Sequence, residues 1–492
     1  METEKLTPTD ETEGTPARQG RRSIFQWLDR RAGLNSLLHA ALDEPIPGGA
    51  RIAYVFGSGL LFLFVSQVIT GVFLALYYVP SADHAHTTVA YITKEVTGGG
   101  FLRSVHAYGS SAIIIVMLLH MTQTFVYGSY KGRRELLWLA GCVLFALMLG
   151  MAFTGYLLPW DQKAYFATTV GTNVLSEVPL VGNALKRVLR GGTEMGTLTL
   201  SRFFVLHVFL IPAFIFAFVA THVFLFRRAG AAGPIETPRR PTETFYPRQV
   251  LLDLVFAVII IGCLGVLAHY VPIELGPKAN PADTQYLPRP EWYYLPVFQW
   301  LKYWRGSLAV LGILVIPGII ALLLLLLPFF DRRPERRPWK RPFAIMTYAA
   351  IFIGLGVLGG LSRRDDLRDA VTAVQIHRQQ QDVKAFMNEP FEPELAGSSV
   401  GIVNTALASA NPLAAKGKGI FEQQSCSACH GDGGAGSAAG PKLTGVSKKF
   451  NNEQLEMRLK QPSAAMTQGG MPPVDLKDED LKALIAYLES LK

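Results

Sequence analysis

Charge is scarce in this chain. Only 17% of its 492 residues are Asp, Glu, Lys or Arg, whereas a soluble domain carries about 25%. Half of the residues are hydrophobic, and they are gathered into long runs. This excludes a purely soluble enzyme and a disordered chain. Cysteine is scarcer still, at four residues. Cys142 and Cys263 lie inside apolar runs and read as small packing residues. Cys426 and Cys429 belong together, so no pair is left for a disulfide framework. Residues 1–22 are polar and lack the apolar core of a cleavable signal peptide. The net charge of +9 does not point to nucleic acid, because Lys and Arg cluster between the apolar runs, as membrane topology requires.

What is present in abundance is membrane-length hydrophobic sequence. Crossing a bilayer takes about 20 apolar residues. Seven runs qualify, at roughly 53–79, 105–127, 136–157, 201–226, 250–272, 307–330 and 343–361. A polar, Pro-rich break at 229–248 divides four spans from three. Residues 23–42 have helical periodicity with apolar and basic faces, and predict one helix lying on the membrane surface. With the N-terminus inside, the inside loops 128–135, 227–249 and 331–342 are short and dense in Lys and Arg. The loops 80–104, 158–200 and 273–306, and everything after 362, then lie outside.

The expected architecture is therefore all-α: a seven-span transmembrane helical bundle with a tethered soluble all-α domain. Its parts are an inside N-terminal segment with the surface helix (1–50), a four-span domain (51–228), a three-span domain (229–361), an outer extension and linker (362–412) and the soluble domain (413–492). Within the linker, 396–412 is small and polar, with a random-coil reach on the order of 20 Å.

Ionisable residues at membrane depth are functional by default. The second run carries His106 and His120, fourteen residues apart, and the fourth carries His207 and His222, fifteen apart. Each pair spans about 21–22 Å of helix and returns within about 40–60° of one face. Both runs travel in the same direction, so His106 lies level with His207 and His120 with His222. Two facing imidazoles at each level can bind a haem iron from both sides, predicting two non-covalent haems b. Gly57 and Gly71 in the first run, and Gly141 and Gly155 in the third, repeat the fourteen-residue spacing. Glycine there would let a flat ring approach the backbone. Arg103 and Arg202 precede the first histidine of each pair and are candidates for haem propionates, with interfacial snorkelling as the alternative. His39, His84, His86, His269 and His377 lie in surface or interfacial contexts and read as non-ligands.

Cys426, Cys429 and His430 form C-x-x-C-H, the attachment pattern of one covalent c-type haem. A thioether should supply the sixth ligand. Met471, in GGMPP, is the first candidate, with Met466 and Met457 as rivals. Haem is attached outside the cytoplasm in bacteria, which agrees with the outer placement of the tail. The expected location is the bacterial inner (plasma) membrane, with the soluble domain periplasmic.

The stretches LRSVHAYGS (102–110), GYLLPWDQ (155–162), TNVLSEVP (172–179), LSRFFVLH (200–207) and RPEWYYLPVFQ (289–299) resemble cytochrome b of the quinol-oxidising cytochrome bc complexes. Residues 413–492 resemble a single-haem class I cytochrome c. The four-plus-three division and the fifteen-residue spacing are similar to the chloroplast and cyanobacterial arrangement, here fused into one chain. Two positions depart from the family pattern. Val55 stands where chloroplast-type proteins anchor an additional haem through cysteine, and Gln123 where family members often carry an Arg.

The resemblance implies two quinone sites. At the outer one, Glu291 in P-E-W-Y would accept a proton from quinol, with desolvation by its aromatic and Pro neighbours raising its proton affinity. Tyr156 would form a wall, and short helices in 158–190 would cap the pocket. At the inner site Asp253 resembles the proton-supplying acid, and a helix-start Asp is an equal reading. The implied partners are a Rieske-type iron–sulfur protein, quinone, membrane lipid, an electron acceptor for haem c and a second copy in a homodimeric complex. The chain has no iron–sulfur ligand set of its own. A membrane di-haem conduit or anchor for another oxidoreductase is the alternative function, and would need the histidines but not P-E-W-Y or GYLLPWDQ.

Overall fold

The computed structural model describes residues 24–233, 235, 241–283, 285–392, 412–424, 426–434, 436, 440–463, 466–467 and 471–491. The expectations for residues 1–22, and for the linker 396–412 apart from its last residue, lie outside the described residues. The chain divides into two compact units, Met1–Glu392 and Pro393–Lys492.

The first unit opens on two surface helices, α1 (Ile24–Ala32) and α2 (Leu34–Leu42). The expected single helix is broken because Gly33 adopts a left-handed conformation with φ 63°. Pro45–Ile46 then pairs antiparallel with Glu243–Thr244, tying this segment to the polar break between the halves.

Among the described residues, six helices are long and apolar enough to cross a membrane. They are α3 (Ile52–Ala75), α5 (Gly99–Val126), α6 (Glu135–Tyr156), α9 (Thr197–Ala229), α10 (Arg248–Tyr270) and α13 (Pro342–Arg368). The sequence run at 307–330 does not form a continuous span. It yields α12 (Leu311–Leu325), broken before a last turn Leu327–Phe330. Pro328, which lacks the N–H that would continue the ladder, lies just past the break at Leu326, whereas Pro317 is accommodated within α12 by the π turn Leu311–Val315. Much of the spans' apolar surface is exposed, as on Leu251, Leu254, Val258 and Ile259 of α10. Side chains of this kind meet lipid.

Shorter helices cover one end of the bundle: α4 (Ala85–Lys94), α7 (Gln162–Ser176), α8 (Gly182–Arg190) and α11 (Leu295–Leu301). After α13 the chain continues as α14 (Ala370–Asn388). Phe386, Met387 and Phe391 pack on Val89, Ala90 and Leu275, and Lys94 caps the end of α14 by donating to the Phe386 and Glu389 carbonyls. The extension is therefore docked on the α4 surface.

The opposite end is held by a charge knot. The Lys131 ammonium donates to Asp331 Oδ1 at 2.7 Å and to the Arg333 and Glu335 carbonyls. The Tyr130 hydroxyl and Arg341 complete the cluster on Asp331 Oδ2. Arg134 and Arg336 likewise bond carbonyls of 229–233. Several cations that read as topology signals thus also tie the loops together. Burial alone would raise the Asp331 carboxyl, but the Lys131 and Tyr130 hydrogen bonds outweigh it and hold it below the usual carboxylate range.

The second unit contains α15 (Pro412–Gln423), α16 (Cys426–His430), α17 (Asn452–Lys460) and α18 (Asp478–Ser490). Its core is Ile420, Phe421, Leu455, Leu481, Leu484, Tyr487 and Leu488. The first and last helices cross backbone to backbone at Gly417, where a Cβ would collide with the Ala483 carbonyl.

Replacing Asp331 by Ala should leave Lys131 and Arg341, each 8% exposed, without their counter-charge. Removing one partner of such a buried pair costs on the order of 3 kcal/mol, measurable as a lower thermal midpoint of the solubilised protein. A lowered folded-state proton affinity means that this stabilisation is complete above the ordinary carboxylate value of about 3.9 and is lost as pH falls through the lowered one. The gap between the two proteins should therefore close in acid.

Candidate functional site

The four histidines form two pairs between α5 and α9. The His106 and His207 ring centroids are 6.2 Å apart at an interplanar angle of 81°. His120 and His222 are close enough to interact electrostatically at the other level. A π turn at Leu206–Leu210 precedes Pro212 in α9 and contains His207. Such a turn inserts one extra residue into an α-helix. It absorbs the difference between the fifteen-residue spacing in α9 and the fourteen in α5. Pro212 is the cause, because its missing N–H leaves the α ladder incomplete there.

Each imidazole nests against a glycine of a neighbouring span. A Cβ on Gly71 would stand 3.2 Å from His106 Cε1, and one on Gly141 would stand 3.3 Å from His222 Cε1. On Gly155 it would overlap the His207 ring, whereas on Gly57 it would make an ordinary 3.7 Å contact with His120. The spaced glycines therefore admit the imidazole side chains themselves.

The Nδ1 atoms of the first pair are engaged. His106 Nδ1 meets Thr70 Oγ1 at 2.9 Å, and His207 Nδ1 meets the Met151 carbonyl at 3.0 Å. Such second contacts orient a ligating imidazole and free its Nε2. His120 and His222 Nδ1 are buried without a hydrogen bond of normal geometry, although the Leu137 carbonyl faces His222. Two ring nitrogens, each roughly 2 Å from one ion, put imidazole centroids about 6 Å apart. The first pair has that separation, and the donor set fits bis-histidine haem.

The His106–His207 pair opens into a cavity of about 670 Å³ that is also lined by Gly71, Arg103, Gly155, Tyr156, Lys163, Glu291, Trp292 and Tyr293. Two loops build its rim. Asp161 pairs with Lys278 as a short antiparallel bridge, reinforced by Gln162 N–H to the Pro277 carbonyl and Ala279 N–H to the Trp160 carbonyl. Asp161 also caps α7 through the Ala164 N–H and accepts from the Gly276 N–H. From the other half, Arg289 grips Asp366 with Nε at 2.9 and 3.0 Å from the two carboxylate oxygens and Nη2 at 2.5 Å from Oδ1. The Arg289 carbonyl accepts from the Tyr156 hydroxyl, and Tyr294 donates to the Leu149 carbonyl. Tyr156 and Glu291, 135 residues apart in sequence, thereby line one space.

The setting of Glu291 differs from the expected dry, aromatic one. Its side chain is 33% exposed and accepts from Lys163 Nζ at 2.8 Å. Burial, and next the Glu291 charge, push the neighbouring Tyr293 phenol well above its ordinary range. Arg103 lines the cavity while donating to the Ile273 and Glu274 carbonyls. Arg202 is not brought to it. Its guanidinium lies on the Arg187 and Val188 carbonyls at the C-terminal end of α8, where a cation is favoured. On the opposite side, Asp253 accepts from Ser58 at 2.7 Å and Gln249 at 2.9 Å, and Ser58 adjoins the Gly57 that faces His120. His86, expected at the surface, is buried on the Gly276 carbonyl. Lys163 and Asp366 are the participants that sequence reasoning missed. Lys163 directly follows the recognisable GYLLPWDQ, which was its only available signal.

In the second unit His430 Nδ1 lies 2.8 Å from the Pro441 carbonyl, which leaves Nε2 for a ligand. Cys426 and Met471 border the same apolar core, and burial raises the Cys426 thiol. Met457 is 63% exposed, and Met466 Sδ is 3.9 Å from Arg458. Of the three methionines, Met471 is the one that borders this core with Cys426, and Cys426, Cys429 and His430 fit a covalent haem.

Comparison with known proteins adds three family matches: Cytochrome b/b6/petB over residues 41–230, Cytochrome b(C-terminal)/b6/petD over 278–377 and Cytochrome c over 414–492. The cytochrome bc complex cytochrome b subunit of Chlorobaculum thiosulfatiphilum is 36% identical over 71% of this chain and 84% of its own length. The menaquinol:cytochrome c reductase cytochrome b subunit of Geobacillus thermodenitrificans is 40% identical over 43% of this chain and 98% of its own. A solved hyperthermophilic respiratory Complex III chain superposes with a TM-score of 0.62 at 27% identity, covering 73% of this chain and 98% of that one.

The glycine contacts predict a graded series. Gly155→Ala should drive His207 from its place and lose most of one b-type haem signal in visible and EPR spectra. Gly57→Ala should keep both signals, because its Cβ has room.

Proposed function

We propose that this chain, which belongs to the cytochrome b family and carries a cytochrome c domain, is the membrane subunit through which a bc-type complex oxidises quinol. The observation that carries this reading is the single cavity in which Tyr156 and Glu291 share walls with His106 and His207. A passive conduit would need the histidines but not that juxtaposition. The relatives named menaquinol:cytochrome c reductase support a quinol as the reductant.

In this reading quinol enters the cavity from the lipid and lies against Tyr156. Its oxidation releases two electrons and two protons, and the first proton goes to the Glu291 carboxylate, which the Lys163 side chain holds at the mouth. When bound, haems at the two histidine pairs and on Cys426, Cys429 and His430, with Met471, would supply one-electron relays for one of the electrons and for the onward step, the other electron first leaving to a Rieske-type iron–sulfur partner. Asp253, which accepts hydrogen bonds from Ser58 and Gln249, gives a proton to quinone on the opposite side. Protons are thus released at the Glu291 face and taken up at the Asp253 face, which is proton translocation. The Glu291 face and the cytochrome c domain are periplasmic, and the assembly is a homodimer.

Pyridine haemochrome spectra of the purified chain should give two extractable b haems to one covalent c haem, and a ratio far from this overturns the assignment. Glu291→Gln in the assembled complex should lower quinol oxidation by some part of about 10²–10⁴-fold with all haem spectra unchanged. Unaltered turnover across pH 5.5–8.5 would favour the conduit. A reporter fused after residue 395 should be active only outside the cytoplasm, and one at 337 only inside.

A further inference from the structure

One wall of the cavity comes from the loop after α10, where residues 272–277 form neither helix nor strand. Ile273 and Glu274 line the cavity. Leu275 turns away from it, is fully buried, and packs with Val89, Ala90, Phe386, Met387 and Phe391. Successive side chains thus face opposite ways, and the rotation of the chain that seats Leu275 also fixes the direction of Glu274.

This stretch is held from two sides. On the cavity side Tyr108 donates to the Val271 carbonyl, Ser104 accepts from the Ile273 N–H, and Arg103 donates to the Ile273 and Glu274 carbonyls. On the other side lies α14. The Leu275 N–H meets Met387 Sδ at 3.3 Å, and a thioether is a weak acceptor. Gly276 sits between the two sides: a Cβ there would stand 3.4 Å from Val383 Cγ2 and 3.5 Å from Asp161 Oδ2. Its carbonyl lies 2.8 Å from His86 Nε2, and the His86 ring packs on Phe386 with centroids 5.0 Å apart. Lys94 of α4 clasps α14 in turn. Its ammonium donates to the Phe386 and Glu389 carbonyls and stands 4.2 Å from the centre of the Phe386 ring. Phe386, Met387 and Lys94 lie behind the wall rather than on the cavity.

We propose that α14 is a strap across the back of the quinol cavity: Phe386 and Met387, clasped by Lys94, press residues 273–276 into place and so position the Ile273 and Glu274 wall against the quinol ring. This rests on the reading of the cavity as the site of quinol oxidation. Phe386 is a positioning residue, since it acts through Leu275, His86 and Gly276 and touches no reacting group. The wall is made by packing, so loosening α14 weakens the hold on the ring and leaves the later electron and proton transfers alone. The loss therefore falls on KM rather than on kcat.

The test is steady-state oxidation of a short-chain naphthoquinol by the assembled complex, with ferricytochrome c as acceptor. The variants are Phe386→Ala, Phe386→Leu, Lys94→Met and Lys94→Arg. Phe386→Ala and Lys94→Met should raise KM by about 2–30-fold, the span of remote substitutions that act through packed contacts, with kcat and the haem spectra kept. The inhibition constant of an alkyl hydroxynaphthoquinone, which resembles the quinol ring, should rise in step. Phe386→Leu restores apolar bulk and Lys94→Arg restores a donor to the carbonyls, so both should return toward the wild type. Hydrogen exchange followed by mass spectrometry gives a further readout: the amides of 273–276 should exchange faster in the two loosened variants. If Phe386→Ala does not assemble, Lys94→Met decides alone. An unchanged KM and inhibition constant, with or without faster exchange, overturns the strap and leaves the function standing, as does a fall in kcat at constant KM. If Glu291→Gln leaves turnover unaltered, the reading of the cavity falls and the strap with it.

Discussion

Four imidazoles have to fit between tightly packed helices, and much of the first unit is arranged around the space they need. An imidazole cannot stand between two spans if the facing residue carries a Cβ at the point of contact. The glycines of α3 and α6 meet this need at both levels. Because the rings are fixed by those notches, their Nδ1 atoms can be fixed too, by Thr70 and by the Met151 carbonyl in the first pair. The π turn beside Pro212 serves the same end, since it keeps a helix with one additional residue in phase with its partner.

A second layer of structure builds a cavity beside this pair of rings. The cavity is closed by segments far apart in the chain, and backbone bonds set their alignment. The short bridge between 161 and 278 ties the loop after α6 to the loop after α10. The Arg289–Asp366 pair then fastens the P-E-W-Y segment to the last turn of α13. The residues beyond the last span thus belong to the site's support, and α14 docks further along the same face.

Charge is used sparingly and for different purposes at the two ends. At the Asp331 end, buried cations lock loops with multiple hydrogen bonds. Losing one charge there leaves the others unpaired. At the Glu291 end the ion pair is partly wet. A pair of that kind contributes little to stability and can open at small cost.

The pattern of residues along the chain was enough for the helical class, the membrane-length runs, the histidine and glycine spacings and the C-x-x-C-H segment. Each of these is a local property: hydrophobic length follows from bilayer thickness, and spacing along one helix follows from its pitch. The same local reading expected one surface helix where Gly33 makes two, and an unbroken span where the helix breaks at Leu326 beside Pro328. It also placed Glu291 among aromatics by looking only at adjacent residues. Only the tertiary structure brought Lys163 to that carboxylate, Asp366 to Arg289, and the α8 carbonyls to Arg202. Contacts between distant segments depend on how loops cross and which backbones bridge. No periodicity records that, so the sequence alone determined the helices and their ring-bearing faces, while the packed structure decided which charges meet at the cavity.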